Sequence, residues 1–290
     1  MSDKYCSGVD VGFVGLGYAK VALLGVIQGI TELLPISSTA HMRVVPAFLG
    51  WSDPGAAFSA AMQAAALVAV ASYFWRDLAA ICGGSAMALK ARRFQDKNLR
   101  LGLLVAVATA PIAVGGLLLS PVLNACNSPL RSLPAIGCAC LVMAALLAVA
   151  EIFARHTREA SDARLRDGLL IGLAQVGALI PGVSRSGSTL TAALGLGFRR
   201  EEAARLSFLL GMPAIALAGG KELWELHKAH LSHHGWSVLA LGIAVAALSS
   251  FVTIWSLMRF LERFSAWPFV AYRALLGVVI LGGVFLGKLA

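Results

Sequence analysis

Charge is what this 290-residue chain lacks most: Asp, Glu, Lys and Arg make up 13% of it, about half the ~25% usual in a soluble domain. That scarcity argues against a water-soluble globule of this size. The five cysteines (Cys6, Cys82, Cys126, Cys138 and Cys140) contain no CxxC pair, so no disulfide framework is implied and they read as small buried hydrophobes. No A-x-A cleavage site follows the first apolar stretch, and more apolar sequence does, so a secretory signal is set aside. Acidic residues number 15 against 24 Lys and Arg, a balance of +9. No basic stripe interleaved with aromatics accompanies it, so nucleic acid is not the expected partner.

What is present is hydrophobic sequence, 58% of the chain, with a mean hydropathy of +0.79. Crossing ~30 Å of hydrocarbon takes ~20 helical residues. Six segments meet that length: Phe58 to Trp75, Leu101 to Ser120, Ser132 to Phe153, Leu206 to Leu223, Trp236 to Met258 and Pro268 to Gly287. Two further apolar regions, about 15–49 and 168–198, are broken by polar residues and prolines. Gly168 to Ile180 spans only ~20 Å as helix before its break. Irregular backbone at that depth survives only when buried in protein or lining a cavity, so both regions read as re-entrant helical hairpins. The fold expected is an all-α polytopic membrane protein with six full transmembrane helices and two such hairpins.

The broken regions resemble each other. Gln28, Pro35 and Ser37-Ser38 match Gln175, Pro181 and Ser184-Arg185-Ser186 at offsets of 146 and 147, and Phe58-x-x-x-Met62 recurs as Phe208-x-x-x-Met212 at 150. One membrane domain, 1–290, therefore divides into a first repeat, 1–153, and a second, 165–290. A hairpin plus three spans is an odd number of crossings, which inverts the second half. Basic residues fall on one side of this topology: Arg76 to Arg100, which reads as a loop, then Arg155 to Arg166, Arg199 to Arg205, and Arg259 with Arg263. That side is the cytoplasm, which leaves residues 121–131 and the His227 to His234 loop outside.

The first motif is QGITELLPISSTAH, Gln28 to His41. It sets a carboxylate, hydroxyls and an imidazole at membrane depth, where an acid costs roughly 2.5 to 3.5 kcal/mol and needs a partner or a task. With a helix starting at Ser37, Ser38 and His41 stand at i and i+3, the arrangement by which a hydroxyl meets a base, so His41 is expected to take the Ser38 proton. Glu32, across the Pro35 turn, is placed to hold a divalent cation or to orient the imidazole. Capping and packing would account for single hydroxyls equally well.

The second motif is PGVSRSGST, Pro181 to Thr189. Its glycine-rich turn, followed by Ser184, Arg185, Ser186, Gly187 and Thr189 at a helix start, makes an anion site from free backbone N–H groups and a guanidinium. An ion pair between Arg185 and Glu32 is a compatible second use of the arginine. The His227, His230, His233 and His234 cluster reads as a solvated loop rather than a metal site. Tyr272 and Arg273, near the outer part of the last span, read as interface anchors or as residues that reach toward a headgroup.

At these residues the chain resembles the undecaprenyl-diphosphate phosphatase family, also called bacitracin-resistance proteins. Beyond the two motifs, LSFLLGMPAIALAG at 206–219 and PFVAYR at 268–273 carry the resemblance. It implies a bacterial inner-membrane enzyme of inverted repeats that removes the terminal phosphate of an isoprenyl diphosphate lipid with a divalent cation, Mg²⁺ or Ca²⁺, recycling a carrier for peptidoglycan synthesis. Position by position it assigns Glu32 the essential acidic and metal-binding role, Ser38 the nucleophile, His41 the histidine and Arg185 the phosphate-binding arginine. Ser37, Thr39, Ser184, Ser186, Gly187, Thr189 and Gln28 follow as substrate-binding residues. Departures are Gln28 where some members have glutamate, Ala40 for a usual glycine, and Ser59 for a usual glutamate that would share the metal. An isoprenyl-lipid flippase or transporter is the rival reading, since it needs the anion site but no nucleophile and base. Attack by a water that His41 activates stays open beside Ser38, and the sequence leaves monomer and homodimer both open.

Overall fold

The computed structural model describes residues 11–123 and 128–289. Cys6 and Cys126, and positions 124–127 of the expected outer loop, lie outside them. Backbone in hydrocarbon must satisfy its own hydrogen bonds, and among the described residues the only β feature is one isolated bridge, Arg158 to Phe198. The helices are α1 (Gly17–Leu33), α2 (Ser38–Phe48), α3 (Ala56–Ala61), α4 (Gln63–Tyr73), α5 (Trp75–Lys90), α6 (Lys97–Leu123), α7 (Leu133–Phe153), α8 (Leu165–Val176), α9 (Arg185–Gly195), α10 (Arg200–Lys228), α11 (His233–Arg263) and α12 (Trp267–Phe285).

Six helices among the described residues are long and apolar enough to cross a membrane: α1 with its preceding 3-10 turn, α6, α7, α10, α11 and α12. The chain is a multi-pass membrane protein. Five of these match expected spans. The sixth expected span, at 58–75, coincides with α3 and α4, which run from Ala57 to Tyr73 before the chain bends by 78° into α5; this bent pair is long and apolar enough to cross only when taken together. The segment read as a basic loop after Trp75 is therefore a helix through Lys90; its charges sit near its ends while Ile81 and Ala88 supply a buried stripe.

Small residues set the helix contacts, as expected where lipid offers no hydrophobic drive. On α1, a Cβ at Gly29 would lie 2.6 Å from the Ala246 carbonyl of α11. On α8, a Cβ at Gly172 would lie 2.4 Å from the Ala108 carbonyl of α6. So α1 packs on α11 as α8 packs on α6, while α7 and α12 pack on each other.

Ion pairs gather the basic segments at one end of the bundle. Arg205 meets Asp77 at 2.6 Å, Arg200 meets Glu151 at 2.5 Å, and Arg199 meets Glu159 at 3.3 Å. Arg158 reaches the buried Asp167 at 2.5 Å and lies over the Phe198 ring. The histidine cluster occupies the end of α10, a short turn and the start of α11. His227 stacks on Trp224 and His234 meets Tyr18, and no metal-holding group of three occurs among the described residues. Cys82, Cys138 and Cys140 are free.

Candidate active site

Two turns face each other inside the bundle. In the first, α1 stops where Leu34 turns extended ahead of Pro35. Ser37 then takes φ 73° and caps α2, its hydroxyl accepting from the Ala40 amide. In the second, Ser184 takes φ 71° and caps α9, accepting from the Gly187 amide. A non-glycine residue in this left-handed region costs ~1–3 kcal/mol and marks a turn held by its surroundings. Both serines occupy the same position of their turns, which starts two helices from one place with free N–H groups at their ends.

Glu32, its side chain 5% exposed, is the point where the turns meet. Its Oε2 accepts from Gln28 Nε2 at 3.1 Å and from Ser38 Oγ at 2.6 Å. Its Oε1 accepts from Arg185 Nη2 at 3.3 Å, so the expected tie between Glu32 and Arg185 is present. The Ser186 hydroxyl is within hydrogen-bond distance of the Glu32 and Leu34 carbonyls, 3.0 and 3.1 Å. Arg185 uses one donor on Glu32; its Nε and Nη1 are buried without partners. It fits against α10 because residue 211 is glycine: a Cβ there would stand 2.0 Å from Nη1.

A cavity of about 350 Å³ opens onto this constellation, lined by Glu32, Ser38, Thr39, Ser184 and Arg185, with Gln63, Arg131 and Glu222 toward the end away from the basic segments. A smaller one of about 160 Å³ adjoins it and adds Gln28, Arg43, Asp53 and Ser59. Glu32, Ser38, Thr39, Ser184, Arg185 and Gln28 are thus brought together. Ser37, Ser186, Gly187 and Thr189 line neither cavity and build its walls instead; Thr189 Oγ1 is 2.5 Å from Ser207 Oγ.

His41 is the clear departure from expectation. Its Nδ1 donates to the Ser37 carbonyl at 2.7 Å, since a carbonyl can only accept, and its Nε2 is hydrogen-bonded to the Tyr272 hydroxyl at 2.7 Å. Both ring nitrogens are occupied away from Ser38, whose proton points at Glu32, and His41 lines neither cavity. The i, i+3 spacing placed the two residues on neighbouring turns; packing against α12 turned the imidazole aside. Arg273, expected near an interface, is instead 0% exposed and bonded to both turns. Tyr272 and Arg273, read from the sequence as interface anchors, instead contact His41 and the two turns, although a charge inside an apolar span is the usual signal for more than anchoring.

The oxygens that meet at this point are the Glu32 carboxylate and the Ser38 hydroxyl, while Gln28 presents its amide N–H to the carboxylate and not its oxygen. No group of three His, Cys, Asp or Glu forms among the described residues, so this set fits a hard cation only if phosphate oxygens complete its shell.

Fold and site define a helical membrane protein with Ser38, Glu32 and Arg185 gathered at a buried cavity. The family model of the bacitracin resistance protein BacA matches residues 21–279, and the chain belongs to that family. It is 69% identical to undecaprenyl-diphosphatase 2 of Mesorhizobium japonicum over 264 residues, 91% of this chain and 100% of the relative. The undecaprenyl-diphosphatase of Synechococcus elongatus is 48% identical over 93% of this chain and 94% of its own length. That of Trichormus variabilis is 45% identical over 98% of this chain and 89% of its own.

Proposed function

We propose that the protein is an integral membrane phosphatase that hydrolyses undecaprenyl diphosphate to undecaprenyl phosphate and phosphate, recycling the lipid carrier of peptidoglycan synthesis and conferring bacitracin resistance. The observation that carries this reading is the Ser38 hydroxyl hydrogen-bonded to Glu32 in the same cavity as the unpartnered donors of Arg185. Ser38 Oγ attacks the terminal phosphorus as its proton passes to Glu32. The bond to the bridging oxygen breaks and undecaprenyl phosphate leaves. Arg185 and the starts of α2 and α9 stabilise the charge that develops on the phosphoryl oxygens. Glu32 gives the Ser38 proton to the departing undecaprenyl phosphate; water then cleaves the phosphoserine, Glu32 taking the water's proton and returning it to Ser38 Oγ as phosphate leaves. Gln28 holds the carboxylate in register.

A divalent cation, Mg²⁺ or Ca²⁺, held by Glu32 and the substrate's phosphate oxygens, would neutralise phosphate charge. Ser59 leaves it without a second carboxylate from α3. Thr39 and Ser184 stand beside the phosphate; Ser37, Ser186, Gly187 and Thr189 shape the turns.

The same reading treats the chain as an inverted repeat, 1–153 and 165–290, with re-entrant hairpins at about 15–49 and 168–198. Reciprocal packing of α1 on α11 and α8 on α6 and the matching serine caps support the repeat, and an α8 of ~18 Å, too short to span, supports the second hairpin; the first rests on its likeness to the second, since α1 with its 3-10 turn is long enough to cross. With the basic end in the cytoplasm of a bacterial inner membrane, the cavity opens outward.

Purified protein in detergent should release phosphate from undecaprenyl diphosphate, and a chelator should stop it. No release from folded protein would sink the phosphatase reading and bring lipid transport to the front.

A further inference from the structure

Arg273 is the largest fully buried side chain among the described residues, and all its hydrogen bonds go to the two turns of the site. Nη1 donates to the Pro35 carbonyl at 3.0 Å; Nη2 donates to the Gly182 and Val183 carbonyls at 2.8 and 2.9 Å. No carboxylate among the described residues pairs with it. A buried arginine in an apolar span is costly to keep, and this one is spent on carbonyls that belong to two different hairpins. Pro35 lies three residues before Ser38, and Val183 two before Arg185. The rigid guanidinium fork therefore sets the spacing between nucleophile and phosphate clamp. Its room is reserved by Gly187, where a Cβ would lie 2.5 Å from Nη1.

The preceding residue works on the first turn alone. Tyr272 stacks on His41 with ring centroids 5.6 Å apart and is hydrogen-bonded to Nε2, while Nδ1 of the same ring donates to the Ser37 carbonyl. Tyrosine, imidazole and carbonyl form a chain that ends one residue before Ser38. No residue of α12 lines either cavity.

We propose that Tyr272 and Arg273 are positioning residues, with His41 as the link between Tyr272 and the first turn. Arg273 holds both hairpin turns at a fixed separation, and Tyr272 fixes the His41 ring against Ser37. The consequence for turnover rests on the phosphatase reading; the clamp itself does not.

The test pairs kinetics on undecaprenyl diphosphate with hydrogen–deuterium exchange of the full-length protein in detergent, for Tyr272→Phe and Arg273→Lys. Tyr272→Phe removes one hydroxyl at constant shape. It should raise exchange in residues 34–41 and leave 181–189 as in wild type, with kcat lowered tenfold or more and KM within about threefold. Arg273→Lys keeps the charge but replaces the fork with a single point, so exchange should rise in both segments and kcat fall further. Unchanged exchange in 34–41 for Tyr272→Phe, or kcat within twofold of wild type, would overturn the proposal. So would Arg273→Lys loosening only one segment. A wild type that releases no phosphate refutes the phosphatase reading, while the exchange pattern still decides the clamp.

Discussion

Replacing Gly211 by alanine should separate activity from stability. The added methyl would stand 2.0 Å from Arg185 Nη1, 3.1 Å from Cζ and 3.6 Å from Cδ. Carbon and nitrogen need ~3.5 Å, so the guanidinium must withdraw by more than an ångström. Because it is the far end of a flexible chain beside a cavity, it can do so without moving α10. The fold is spared, and alanine is even ~0.8–1 kcal/mol better than glycine inside a helix. The site is not spared: the Arg185 contact to Glu32 is only 3.3 Å long, and a ~1 Å error in a positioned group can cost ~100-fold in rate. That is ~2.7 kcal/mol of transition-state stabilisation. Phosphate-release kinetics beside thermal melts in detergent should give a kcat/KM down ~100-fold with a melting temperature equal or higher. A variant within twofold of wild type would refute the placement of Arg185 against α10.

If Glu32 rather than His41 takes the Ser38 proton, Glu32→Gln should cost at least ~100-fold in kcat, the lower range of general-base effects. His41→Gln should cost far less in kcat than Glu32→Gln; the reverse order would restore the histidine as base. At the basic end, burial works to raise the Asp167 carboxyl, but the Arg158 hydrogen bond and charge, the Arg164 amide and Arg166 outweigh it and hold the group below its ordinary 3.8. A depressed folded value means that its stabilisation is complete above the unfolded value and is lost as pH falls through the folded one. Melts taken downward from pH 6 should therefore be shallower in Asp167→Asn than in wild type.

Much of the site was legible because polar residues at membrane depth stand out against an apolar background. Pro35, Glu32 and the serines marked one turn, and Pro181 and Arg185 the other. The Glu32 and Arg185 pair followed from the cost of burying either alone. The role of His41 was not legible, since spacing along α2 says nothing of a tyrosine 231 residues away. Arg273 was hidden for the same reason: its acceptors lie 90 to 238 residues upstream, and only the fold shows that an apparently peripheral arginine is central. The bend before α5 left little trace in an alanine-rich run, where helix geometry is decided by neighbours rather than by propensity.

The central claim is that the two turns form one phosphate-cleaving site with Ser38 as nucleophile. It is tested most directly by phosphate release from undecaprenyl diphosphate by wild type, Ser38→Ala and Arg185→Ala, each shown to be folded. Loss of release in both variants, with release by wild type, is the predicted result. Wild-type rates in Ser38→Ala would contradict it.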